Sequence, residues 1–315
     1  MTERIPVAAV AGPTATGKTR LAVELALRFG GEVISADSMQ IYRGLDIGTA
    51  KPSQEEMHGV PHHLMDFLDP SEPFSVADYV SLASRKIAEI HSRGRLPIVA
   101  GGTGLYLRSL LSNLSFSPQG HDERLREQLR KKAEKHGPEA LLEELRSFDP
   151  ESAARIHPNN VNRVIRAIEI YRVTGVTMTE QAERSRAVPP PYDDVRIGLA
   201  YRDRAKLYDA IDRRVDTMMS AGLLREAETV FRMKNPATAA QAIGYKEFFP
   251  YFDGECSLED AVARVKAESR HYAKRQLTWF RRDETIRWLF VDDPGGFSAL
   301  AEKACGMLRE KGWGK

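Results

Sequence analysis

The stretch GPTATGKT, Gly12 to Thr19, carries the first recognisable chemistry in this 315-residue chain. It fits G-x-x-x-x-G-K-[ST], a loop whose backbone N–H groups cradle phosphates, whose lysine offsets their charge and whose hydroxyl reaches Mg²⁺. Gly12, Pro13, Thr14, Ala15, Thr16, Gly17, Lys18 and Thr19 are therefore candidate diphosphate-binding residues, with Thr19 the candidate metal ligand. The loop reads phosphate oxygens only, so ATP and other diphosphates remain open. Asp37, in ISADSMQIY, is either a turn residue or a carboxylate that ligates Mg²⁺ or takes a proton from a nucleophile. ATP motors and many kinases add an apolar strand ending in Asp. The strand available here, LPIVA, runs instead into Gly101-Gly102-Thr103-Gly104, which weakens ATP hydrolysis as the main activity. Thr103 is an ordinary turn hydroxyl or a ligand to something arriving above the sheet.

These residues need a frame that brings them together. Val7 to Ala11 reads as a buried strand and Thr19 to Phe29 as a helix with Leu21, Leu25 and Phe29 on one side. Further strands are expected at Glu32 to Ala36, ending at Asp37, and at Leu96 to Ala100, after a helix closed by Gly94. The alternation predicts an α/β fold, a P-loop type doubly wound parallel sheet, in which ligands bind beyond the carboxyl ends of the strands. The phosphate loop, Asp37 and Thr103 should converge there. From 118 to 191 the sequence becomes densely charged and helix-forming, which predicts a helical insertion domain between a first core segment, 1–117, and a second, 192–315. In the second segment a strand is expected at Val195 to Ala200, helices at Arg204 to Ser220, Leu223 to Met233 and Leu258 to Phe280, and a last strand at Ile286 to Val291.

A chain that is 42% hydrophobic and 29% charged can bury full cores. Cys256 and Cys305 form no metal-ligand or disulfide pattern, which fits a reducing, cytoplasmic setting. No apolar run approaches a membrane span. A net charge of +2 is too mild to announce nucleic-acid binding by itself. Local clusters say more. Between Val262 and Arg282 stand seven bases, Arg264, Lys266, Arg270, Lys274, Arg275, Arg281 and Arg282, against the single acid Glu268. Lys266, Arg270 and Lys274 share a helix face, for which a phosphate backbone or solvent is the natural counterpart. Arg163 and Arg166 stand beside Asn159, Asn160 and Asn162, a mixture suited to sugar, phosphate and unstacked bases. His62 and His63 are adjacent in an extended segment and so point oppositely, which favours a structural role over a metal site.

GPTATGKT, ISADSMQIYRGLDIGTAKP, VPHHLMDFLDP, GRLPIVAGGTGLYLRSLL, RIHPNNVNRVIRAIEI, QAIGYKE and AKRQLTWFRRD, in this order, resemble the tRNA dimethylallyltransferase family, also called tRNA isopentenyltransferases. The resemblance spans residues 7 to 290. It implies transfer of a dimethylallyl group from dimethylallyl diphosphate, with Mg²⁺, to N6 of the adenosine immediately 3′ of the anticodon, in tRNAs reading codons that begin with U. It further implies Asp37 as general base, Lys18, Thr19 and Arg214 at the diphosphate, and Thr103 at a flipped nucleotide. The tRNA contacts it implies are Asp37, Ser38, Met39, Gln40, Thr103, Arg126, Asn162, Arg163, Val164, Ile165, Arg166, Gln241, Gly244, Tyr245, Lys246, Lys274 and Arg275. A monomer that binds the tRNA anticodon stem-loop and no membrane is expected. The rivals are a prenyltransferase acting on a free adenine nucleotide, a small-molecule P-loop kinase, and an RNA-binding module with a relic loop.

Overall fold

The computed structural model describes residues 4–112, 122–233 and 242–314. The chain divides into two compact units, Met1–Leu111 with Tyr192–Lys315, and Ser112–Pro191 between them in sequence. The domain boundary expected at 117 and 118 lies outside the described residues.

The larger unit begins with β1 (Ile5–Ala11), α1 (Lys18–Phe29), β2 (Gly31–Ser35), α2 (Gln54–Met57) and β3 (His62–His63). It continues with α3 (Val76–Ser92), β4 (Leu96–Gly101) and α4 (Gly104–Leu111). The inserted unit holds α5 (Glu123–His136), α6 (Pro138–Arg146), α7 (Pro150–Arg155), α8 (Val161–Thr174) and α9 (Met178–Ala187). The larger unit then resumes with β5 (Tyr192–Ala200), α10 (Arg204–Ala221), α11 (Leu223–Phe231), α12 (Phe249–Phe252), α13 (Leu258–Phe280), β6 (Arg287–Phe290) and α14 (Gly296–Arg309).

The strands form one sheet in the order β3-β2-β4-β1-β5-β6, and every neighbouring pair is parallel. Alternation along β1 explains why both faces are covered. Ala8 and Val10 point to one side, where Leu21 and Leu25 of α1 and Leu300 and Leu308 of α14 bury them. Val7, Ala9 and Ala11 point to the other, against Tyr79 and Ile87 of α3 and Tyr106 and Leu110 of α4. Each fully buried leucine of this kind contributes about 1.5–3 kcal/mol. The position of β4 between β1 and β2 decides where the site can be. The turn leaving β4 must emerge between the phosphate loop, which leaves β1, and Asp37, which follows β2.

A third cluster, around Tyr245, Phe248, Ile41, Tyr42, Val215 and Val265, ties α10, α11 and α13 to the segment after Asp37. The inserted unit has its own core of Leu129, Leu141, Leu145, Val164 and Ile168. His62 and His63 turn to different partners, as their extended setting suggests. His63 Nε2 lies 2.7 Å from Glu32 Oε2, and His62 Nδ1 lies 2.9 Å from Val60 O. No helix of the described residues is long and apolar enough to cross a membrane.

Candidate active site

The loop leaving β1 is held in shape before any ligand arrives. Gly12 has φ of 148°, and a Cβ there would lie 2.5 Å from Leu199 O on the neighbouring strand, so only glycine fits. Thr16 is buried, and its hydroxyl donates to Pro13 O at 2.8 Å. Lys18 Nζ donates to the same carbonyl at 2.6 Å. Gly17, left-handed at φ 79°, starts α1, whose first turn has neither a side-chain cap nor an acid. The free N–H groups and positive pole of that helix therefore favour an anion.

The electrostatics carry the same message. Burial pulls the Lys18 ammonium down to about 7; the nearby Arg214 of α10 adds to the shift and Asp37 opposes it. Arg214 is itself lowered, by burial first, with Asp37 and Glu56 opposing. Two partly desolvated cations thus share one carboxylate. An arriving diphosphate would relieve their repulsion, while a neutral ligand would not.

Asp37 stands at the far side of the β4 exit. Its Oδ1 accepts the N–H of Met39 at 2.9 Å and that of Gln40 at 3.4 Å, an Asx turn that fixes the carboxylate. Thr103 is bound to the same segment: its N–H donates to Ala36 O at 3.1 Å, and its Oγ1 accepts Ser38 N–H at 3.1 Å. The sheet thus assembles the phosphate loop, Asp37 and Thr103 as the sequence predicts.

Two further residues at this site come from α13, and the sequence assigns neither of them a place in the crevice. Tyr272 reaches the side chains of Thr103 and Gln276; burial, then the charge of Asp37, push its hydroxyl up to about 12. Gln276 bonds both the phosphate loop and the β4 exit. Both lie in or beside AKRQLTWFRRD, but nothing local reveals partners some 170 to 260 residues away.

The expected RNA contacts divide by their surroundings. Lys274 and Arg275 are exposed, and with His271, Thr278, Trp279 and Arg282 they line an open hollow of about 440 Å³. Lys266 and Arg270 do not extend this row as free charges. Lys266 pairs with Asp216 at 2.6 Å and Arg270 with Asp212 at 2.6 and 2.8 Å, both acids of α10. Ser38 and Met39 are half-buried, and the Gln40 amide is engaged with Ser35, Thr49 and Ala50. Tyr245 is fully buried and donates to Glu226, which also accepts the N–H groups of Asp46, Ile47 and Gly48. Tyr245 therefore shapes that loop from within, while Lys246 is exposed. The N–H of Gly244 donates to Glu247 at 2.8 Å. Gln241 lies outside the described residues.

Within the inserted unit, Asn162 and Arg163 are exposed. Arg126 and Arg166 both grip the fully buried Glu169, at 2.8 and 2.5 Å. Val164 and Ile165 are buried in the unit's core, so they support the helix that carries Arg163 rather than offer a surface. Glu169 was missed for the reason that hid Gln276: a partner it depends on, here Arg126, is distant in sequence.

Comparison with known proteins gives a consistent result. The profile of the family described as IPP transferase matches residues 40–283, and that described as isopentenyl transferase matches residues 5–71. A tRNA dimethylallyltransferase of Caldanaerobacter subterraneus is 47% identical over 310 residues, 98% of either chain. The crystal structure of a tRNA isopentenylpyrophosphate transferase from Bacillus halodurans superposes with a TM-score of 0.72, at 47% identity and 98% coverage of both chains. Crystallographic snapshots of a eukaryotic dimethylallyltransferase acting on tRNA match with a TM-score of 0.82 at 30% identity, covering 97% of this chain and 79% of that one. With one relative at 47% identity along nearly its whole length and a family profile over most of its residues, the chain belongs to the IPP transferase family.

Proposed function

We propose that this protein transfers a dimethylallyl group from dimethylallyl diphosphate to N6 of the adenosine immediately 3′ of the anticodon, in tRNAs reading codons that begin with U. The observation that carries the reading is the placement of Lys18 and Arg214, two crowded cations, at a phosphate loop separated from a fixed carboxylate, Asp37, by one strand's exit turn. Membership of a family with members named for this transfer supplies the identity of the groups exchanged.

In this reading the allylic C–O bond of the donor breaks, and its electron pair leaves with the diphosphate. Loop N–H groups, Lys18 and Arg214 stabilise the negative charge that develops there. The adenine amine is a weak nucleophile because its lone pair is delocalised into the ring. As N6 bonds to the allylic carbon, Asp37 takes its proton. The base must leave its stack to reach the crevice, where Thr103 would contact it. Lys274 and Arg275, and in the inserted unit Asn162 and Arg163, would meet the anticodon arm.

The residues also fit Mg²⁺. Among the described residues no three His, Cys, Asp or Glu gather into a metal cluster. A cation here would therefore be held by Thr19, the diphosphate oxygens and water, the oxygen-rich and protein-poor set that Mg²⁺ accepts. When bound, it would supply positive charge to the leaving diphosphate.

The test is to incubate the protein with dimethylallyl diphosphate, Mg²⁺ and unmodified tRNA and to weigh the released nucleosides. Expected is one adenosine that has exchanged a hydrogen for a dimethylallyl group. An obligatory need for ATP, or free AMP outcompeting tRNA as acceptor, would overturn the reading.

A further inference from the structure

Gln276 is 7% exposed and sits on the inner side of α13, one residue before Leu277 and three after the fully buried Ala273. Its Oε1 accepts the N–H of Thr14 in the phosphate loop at 3.0 Å, and its Nε2 donates to Gly102 O in the β4 exit at 2.9 Å. A backbone N–H can only donate and a carbonyl can only accept, so the two partners fix which way the amide points. The fit is tight. A Cβ on Gly102 would lie 2.3 Å from Nε2, so the close approach requires a residue without a side chain. Tyr272, one turn earlier, reaches Gln276 and Thr103 together.

Simple helix packing does not call for this arrangement. An apolar side chain of similar length would fill the space, at the cost of leaving the Thr14 N–H and the Gly102 carbonyl without this partner. What the amide adds is a strut with one end on each of two loops. One loop holds the leaving group, and the other stands beside Asp37 and carries Thr103. The Thr14 N–H, moreover, is turned onto α13, so the diphosphate must rely on the remaining donors of its loop.

We propose that Gln276 is a positioning residue, holding the diphosphate loop in fixed register with the Thr103 turn so that the donor's reacting carbon and the adenine amine meet. The inference rests on the prenyl-transfer reading. Positioning acts on the chemical step, where a displacement of about 1 Å costs up to about 10²-fold. Neither substrate need bind more weakly.

Two variants test it in the full-length protein. Gln276→Met keeps the bulk and loses both bonds. Its single-turnover rate should fall about 10- to 100-fold, with donor and tRNA dissociation constants changed less than about threefold. Gln276→Glu is a titratable probe. Ionised, it sets an acceptor against Gly102 O; protonated, its C=O can accept from Thr14 and its O–H donate to Gly102, reproducing the native pair. The rate of Gln276→Glu divided by that of wild type should therefore climb as pH falls. Lys18, Asp37, Arg214 and Tyr272 are present in both proteins and largely cancel in the ratio. A ratio flat with pH, or a Gln276→Met rate within about twofold of wild type, overturns the inference. If Gln276→Met does not fold, the pH dependence of Gln276→Glu decides alone. Absence of product from wild type would sink the functional reading, whereas wild-type product with a flat ratio would sink only the strut.

Discussion

In the crevice, Lys18 and Arg214 are half-buried, repel one another and share a single carboxylate, Asp37. Along α13, Lys274 and Arg275 stand exposed, while Arg270 and Lys266, one and two turns earlier, are matched with acids of α10. The first array is charged against its own stability, which suits a small anion that must be held and then released. The second is two arrays in one helix: a neutralised stretch that fastens α13 to α10, and a free stretch open to a polyanion. Formal charge in a sequence is therefore not the same quantity as charge a partner can use.

The sharpest break in the comparison should come at Asp37. Asp37→Asn keeps size and the turn acceptor but cannot take the N6 proton, so the single-turnover rate should drop about 10²- to 10⁴-fold. Donor and tRNA affinities should hardly move. A magnesium titration decides between base and metal ligand: rescue of the rate by added Mg²⁺ would make Asp37 a ligand. Next is Lys18→Ala, expected to lower the rate about 10²-fold by removing charge from the leaving diphosphate. The sign of its pH effect follows from its lowered value of about 7. A bound diphosphate pulls that value back up, so donor binding takes up a proton above pH 7. Donor affinity should then weaken as pH rises from 7 to 9, by up to about tenfold per unit. Calorimetry in buffers of different ionisation enthalpy measures the uptake, and Lys18→Ala should abolish it.

On the open surface the effects should be smaller and of another kind. Replacing Lys274 and Arg275 together by Ala should leave the rate at saturating tRNA unchanged and make the log–log salt dependence of tRNA binding shallower by about 1 to 2 units. Lys266→Ala should do least, changing that slope by less than about half a unit, because its charge is already met by Asp216. Equal slopes for Lys266→Ala and the Lys274 and Arg275 pair would erase the division of α13 drawn above.

Much of the fold could be read in advance because its signals are local. The run before Gly12 and the loop motif itself act through near neighbours, and α13 spans Leu258–Phe280 as the sequence predicts. What escaped depends on distant partners. The acids that cancel Lys266 and Arg270 lie more than 45 residues upstream, outside any window in which seven bases are counted against Glu268. Gln276 is an unremarkable residue of a charged helix until Thr14 and Gly102 are folded onto it. Tyr245, Val164 and Ile165 lie in motif segments, but burial gives them the task of supporting their neighbours. α14 carries no motif, yet it seals one face of the sheet through Leu300 and Leu308.

The strand order has a consequence for biosynthesis. β1 lies between β4 and β5, so its two edges wait for residues 96–101 and 192–200 to leave the ribosome. The inserted unit, by contrast, draws its core from contacts within 125–168, which are short in sequence and quick to form. A nascent chain that has emerged to residue 191 therefore holds a finished helical unit and a sheet with one side of β1 still open, the state most exposed to mispairing. Pulse proteolysis of ribosome-stalled chains should find 122–187 protected at that length and β1 still cleavable. Protection of β1 before β5 is synthesised would show that the open edge is shielded by something other than its native neighbour.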